Sequence, residues 1–151
     1  MAQQNFAALR AAALDGRTRN VYYRQAQLEK LQKALTKEAS AIQEAIVKDS
    51  GVTTAEAKIE FSLALGALRD RYTELDPTKE LEAEYKIAKK ENATETSVGA
   101  GVVIIEPAAY NVFYSIIAPM SAALAAGNCL IVRVRSDRKR ADLGHELTRY
   151  L

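Results

Sequence analysis

The sequence predicts an α/β fold: N-terminal helices packed on the opening strand–helix–strand unit of a parallel sheet. Three observations predict it. Apolar residues recur at helical spacing up to about residue 85. Two short runs without polar alternation, Val102-Val103-Ile104-Ile105 and Leu130-Ile131-Val132, suit strands covered on both faces, as in a parallel sheet. The apolar stretch between them has the length of a crossover helix, so the three segments form a βαβ unit, which is right-handed as a rule.

A first short helix is expected near Asn5 to Leu14, ended by Asp15-Gly16. The next carries Val21, Leu28, Leu31 and Leu35 on one face, with Gln25 as the polar member of the stripe. A following helix uses Ile42 and Ile46, and Gly51 sits where a left-handed cap would end it. A long helix runs from about Ala55 to Leu75, with the stripe Phe61, Leu65, Leu68, Tyr72 and Leu75. Asp76-Pro77 stops it, because proline disfavours a helical residue before it. Each stripe is too short for a stable coiled coil, so a helix bundle packed on a domain is expected.

Tyr85 to Lys90 partly alternates in polarity and reads as a strand or hairpin arm; Asn92 to Ser97 reads as a polar turn. Gly99-Ala100-Gly101 makes a tight turn into the first sheet strand and is a weak glycine signal by itself. The crossover helix spans about Val112 to Ala126 and ends at Gly127-Asn128. Cys129 to Val134 is the second strand, and a last helix runs from about Asp137 to Leu151, capped by Ser136 or Asp137. The chain thus divides into a helical region, residues 1–85, and a hairpin with a βαβ unit and helix, residues 86–151.

With 151 residues, 48% hydrophobic and 26% charged, the composition is that of a globular domain able to bury a core, not of a disordered chain. A net charge of +2 says little about partners. The basic run Arg133, Arg135, Arg138, Lys139, Arg140 lacks interleaved aromatics, so no nucleic-acid partner is expected. The single cysteine, Cys129, permits no internal disulfide, and no secretory signal is apparent; a cytoplasmic location is expected. The stretch from Val112 to Ala126 is too short, and too interrupted by Ser115, Pro119 and Ser121, to span a bilayer. Asn92-Ala93-Thr94 is read as a chance match to the glycosylation pattern. His145, the one histidine, makes no metal site, and Cys129, opening a strand, reads as a small core residue rather than a nucleophile.

The segments Gly101-Val-Val-Ile-Ile-Glu-Pro-Ala-Ala-Tyr-Asn and Pro119-Met-Ser-Ala-Ala-Leu-Ala-Ala-Gly-Asn-Cys-Leu-Ile-Val resemble the aldehyde dehydrogenase superfamily. There a G-V-V-x-I-I strand leads into a P-W-N-Y-P-like loop, and a helix ending A-x-A-A-G-N leads into a second strand. Pro119 and Ala125-Ala126-Gly127-Asn128 fall into register with Gly101 without a gap. Upstream, Tyr23-Arg24-Gln25-Ala26-Gln27-Leu28 is similar to the family's R-x-x-Q-L element, and Asp49-Ser50-Gly51 to its D-x-G helix end. The branch with short N-termini, the fatty-aldehyde-like one, looks nearest.

The resemblance implies the first part of a Rossmann-like NAD- or NADP-binding domain, with a nucleotide cofactor and an aldehyde as small-molecule partners. In the family a cysteine thiolate attacks the aldehyde, an asparagine amide and a backbone N–H hold the oxyanion, hydride passes to the nicotinamide, and a glutamate activates water. The cysteine, the glutamate and the phosphate loop belong to later segments, so the chain is expected to be inactive by itself. A truncated pseudoenzyme acting as an interaction or regulatory protein is the alternative. Counted from Gly101, the oxyanion asparagine position falls on Tyr110, with Asn111 one residue later; the usual tryptophan is Ala109 and the usual proline Val112. On the cofactor side the resemblance singles out Glu106, Pro107, Arg133 in place of a ribose-binding lysine, and Ser136 in place of a glutamate. Because further strands continue the sheet in the family, self-association or a protein partner is expected.

Overall fold

The computed structural model describes residues 2–90 and 99–134. Five α-helices come first, α1 (Ala2–Leu14), α2 (Val21–Lys37), α3 (Ala39–Ser50), α4 (Thr54–Glu74) and α5 (Pro77–Ala88), with a short 3-10 turn, Arg17–Arg19, between α1 and α2. Then follow β1 (Val102–Ile105), α6 (Val112–Ala125) and β2 (Cys129–Val132). The strands pair in parallel, Val102 opposite Cys129 and Ile105 opposite Val132. The expected α/β class and the βαβ unit are therefore present, with helices packed on it. The expected helix from Asp137 to Leu151 and the turn from Asn92 to Ser97 lie outside the described residues.

Local chemistry sets the helix ends. Asn20 caps α2, its Oδ1 accepting from the N–H groups of Tyr22 (2.9 Å) and Tyr23 (3.2 Å). Gly51, at φ 68°, closes α3 in the left-handed conformation that the sequence suggested. Thr53 and Glu56 form a reciprocal capping box at the head of α4: Thr53 Oγ1 accepts from Glu56 N–H at 3.3 Å, and Glu56 Oε2 accepts from Thr53 N–H at 2.8 Å. Asp76 caps α5 with Pro77 at its first turn.

The core is built around α6. Phe113, Ile116, Ile117 and Met120 are wholly buried. They pack against α4 on one side, and against Ile105, Val103, Leu130 and Val132 of the strands on the other. Phe61 and Phe113 stack with ring centroids 5.5 Å apart. Ala57 and Ala64 of α4 are fully buried; with no bulk at these positions, α6 can approach closely.

Arg24 of α2 joins three elements. The residue is 8% exposed, and its guanidinium donates to Ala125 O (2.7 Å), Arg19 O (3.2 Å) and Glu80 Oε2 (2.8 Å). Gln25, the polar member of the α2 stripe, donates to Leu75 O at 3.0 Å, at the end of α4.

Three expectations are corrected. Tyr85 to Ala88 is the last turn of α5, not a strand or hairpin arm. Its alternation is too short to override the Asp76 cap, the proline start and the Glu- and Lys-rich helix formers between them. The buried face of α4 is Ala57, Glu60, Phe61, Ala64 and Leu68, so Tyr72 is exposed and Leu65 only half-buried. Apolar residues lie all round α4, including exposed Ile59 and Leu63, and the small alanines decide which face packs. Finally, β1 is not covered on both faces: Ile104 is 59% exposed, because α6 covers only the face of Val103 and Ile105.

Two outcomes are expected from these contacts. Arg24→Met leaves two carbonyls without donors and should destabilise the fold by about 2–3 kcal/mol in denaturant titration. Glu80→Gln, at a half-exposed site, should cost less than about 1 kcal/mol. The reverse order would place the strength of this junction in the ion pair. The Glu56 carboxyl is held below its ordinary value of 4.5, first by the Thr53 N–H and then by the Thr53 hydroxyl. A depressed carboxyl stabilises the fold above the unfolded value and loses that effect as pH falls through the folded one. Glu56→Ala should therefore lower Tm at neutral pH, and the gap to wild type should close well below pH 4.5.

Candidate functional site

The residues singled out in the sequence converge on the carboxyl ends of the two strands. Glu106 and Pro107 leave β1, and Arg133 leaves β2. Arg133 N–H donates to Ile105 O at 2.9 Å, continuing the ladder one step past β2. The Arg133 guanidinium meets Glu106 Oε1 at 3.0 Å, with both side chains open to solvent. Ser136 lies outside the described residues.

Beyond Pro107 the loop turns into α6. Ala108 N–H donates to Ser115 Oγ (3.1 Å), and that hydroxyl donates to Val112 O (3.0 Å), tying the loop to the first turn. Asn111 sits at the helix N-cap with φ 50° and ψ 46°. Asparagine tolerates this left-handed conformation better than most residues. Its side chain makes no cap bond with the helix. Glu60 of α4 caps the helix in its place. The residue is 8% exposed, and its carboxylate accepts from Tyr114 N–H at 3.0 Å. Tyr110 projects outward, 74% exposed.

The other end of the crossover is equally determined. Gly127 N–H donates to Leu124 O and Asn128 N–H to Ala123 O, the paired bonds of a Schellman ending. Gly127 has φ 78°, and a Cβ there would stand 2.7 Å from Thr18 O, so only glycine fits. Asn128, buried, accepts from Gly101 N–H at 3.0 Å and donates to Ala123 O at 3.2 Å, fixing the start of β1 against the end of α6. Cys129 is half-buried and lines a cleft of 510 Å3 with Leu9, Tyr23, Lys30, Met120 and Leu130.

The structure thus brings Glu106 and Arg133 into contact and sets Tyr110 and Asn111 at the head of α6. The arrangement offers a carboxylate, a guanidinium, an amide and a phenol at one end of a parallel sheet. Among the described residues no group of three or more acidic, histidine or cysteine side chains could hold a metal ion. No helix there is long and apolar enough to cross a membrane. Sequence reasoning missed Glu60 and Ser115. Ser115 lies within the segment already flagged, but nothing in the pattern marks Glu60, whose partner is 54 residues away.

The model of the aldehyde dehydrogenase family matches residues 2–140. The chain belongs to that family. It is 32% identical over 155 aligned residues to aldehyde dehydrogenase family 3 member B1 of Bos taurus, and equally to the protein of that name from Mus musculus. Each alignment covers 95% of this chain and 32% of the relative, so the chain spans about a third of the length of these curated relatives. No solved structure matches significantly.

Removal of the Glu60 acceptor should loosen the head of α6. Glu60→Ala is expected to cost about 1–3 kcal/mol and to speed hydrogen exchange at the Tyr114 amide, while Glu60→Gln, which keeps an acceptor, costs less than half as much. Equal losses would mean that the contact does not anchor the helix.

Proposed function

We propose that this chain forms the opening part of the nucleotide-binding domain of an NAD(P)-dependent aldehyde dehydrogenase. In that role it serves the oxidation of an aldehyde to a carboxylic acid. One observation carries the reading. Glu106, Pro107, Tyr110 and Asn111 follow β1, and Arg133 follows β2, at the end of a parallel sheet where open α/β folds take nucleotides. Helices α1 to α5 then act as a helical scaffold, and β1, α6 and β2 as the opening of a Rossmann-like cofactor domain.

The donor set fits an adenosine ribose. The Glu106 carboxylate accepts from hydroxyls, and the Arg133 guanidinium donates to ribose or phosphate oxygens; the sequence adds Ser136 as a further candidate ligand. A bound nicotinamide nucleotide would supply the hydride acceptor. Tyr110 and Asn111 are the two donors for the developing oxyanion, and the Asn111 amide is not used to cap α6. The chain by itself is inactive on this reading, because its one thiol, Cys129, opens a strand. The lone cysteine also agrees with a cytoplasmic setting.

A second reading, an inactive family member that works through a partner, is favoured by Ile104. That side chain stands 59% exposed in the middle of β1 and needs cover from another strand, helix or chain.

Nuclear magnetic resonance titration of the purified chain with NAD should move the resonances of residues 106–111 and Arg133, with a Kd of about millimolar or weaker. Cofactor reduction with short- and long-chain aldehydes should stay at background, and light scattering after size exclusion should show association. Shifts that miss the strand ends would overturn the nucleotide reading. Turnover abolished by Cys129→Ser would overturn the inactivity. A monodisperse monomer would overturn the association.

A further inference from the structure

Resting on the reading of the strand ends as an adenosine site, we propose that Glu106 decides which adenosine the site accepts: it selects a ribose with a free 2′-hydroxyl and rejects one carrying a 2′-phosphate. The sheet itself imposes the Glu106–Arg133 pair. Ile105 stands opposite Val132 in the parallel register, so Glu106 and Arg133 are the next facing positions. The Arg133 N–H bond to Ile105 O at 2.9 Å holds the two backbones together there. Pro107, with its fixed φ, sets the direction of the chain directly after Glu106. The 3.0 Å contact joins side chains that are 47% and 68% exposed, so a ligand can reach both groups.

A guanidinium at the carboxyl end of a strand is the group that receives a 2′-phosphate, and a carboxylate there is the group that accepts from ribose hydroxyls and repels the phosphate. Alone, Arg133 would make the site one for the phosphorylated ribose. Glu106 engages that guanidinium at 3.0 Å and sets a negative charge directly beside it. The carboxylate is supplied from β1, the strand next to the one that carries Arg133.

The test titrates the full chain with adenosine 5′-monophosphate and with adenosine 2′,5′-bisphosphate, read by amide chemical shifts. Wild type should bind the monophosphate at least as tightly as the bisphosphate. Glu106→Gln should move the ratio of the two dissociation constants toward the bisphosphate by about fivefold, the upper end for an exposed charge pair. Glu106→Asp should keep the wild-type preference, and adding Arg133→Ala to Glu106→Gln should remove the gain. The same ratio in wild type and Glu106→Gln, or a wild-type preference for the bisphosphate, would overturn the proposal while leaving the nucleotide reading intact. If neither ligand moves the strand-end resonances, the nucleotide reading itself fails.

Discussion

The placement of the strand-end loop depends on α6, a buried helix held at each end by a charge that opposes its dipole. A helix of this length carries partial positive charge at its N-terminus and partial negative charge at its C-terminus. The Glu60 carboxylate sits on the N–H of Tyr114 at the first end, and the Arg24 guanidinium on the carbonyl of Ala125 at the last. Both residues are 8% exposed, so water screens their contacts with the helix ends weakly. The helix can neither slide nor rotate without breaking one of these contacts and unstacking Phe113 from Phe61.

The N-terminal helices are therefore more than a cover. α4 delivers Glu60 and the small-residue face that lets α6 come close, and α2 delivers Arg24. The loop from Glu106 to Asn111 inherits its geometry from this frame, because Ser115 and the left-handed Asn111 join it directly to the first turn of α6. Asn128 does the same at the opposite end by tying Gly101 to the helix terminus.

Much of this was legible in the residues. Ile42 and Ile46 and Gly127-Asn128 each had one local explanation and took the structure it required, while the β-branched runs formed the expected parallel strands but with Ile104 left open on one face. Arg24, Leu28 and the Ala125-Ala126-Gly127-Asn128 segment carried the family resemblance, and they prove to be parts that hold α2 to α6 and, through Asn128, the end of α6 to the start of β1. Other features had no local signature. Tyr85 to Ala88 could satisfy either a period of two or a helical one, and only the Asp76 cap upstream decides. The burial of Glu60 and Arg24 depends on partners distant in sequence, whereas charged residues ordinarily belong outside. Spacing left Tyr110 and Asn111 as rivals one residue apart; their backbones differ, Asn111 being left-handed and Tyr110 not.

The Arg24 bond to Ala125 spans 101 residues. During synthesis, α2 leaves the ribosome long before the carbonyl that completes it has been made. Until then a helix whose face includes a cation has only part of its partner set, and Leu28 and Val21 lack Leu124 and Ala125 to pack against. Contacts this far apart close slowly, since a long loop must be ordered before any gain is realised. The nascent chain therefore spends the interval with an apolar helical surface on display. Folding of α2 against its partners is tied to the arrival of α6.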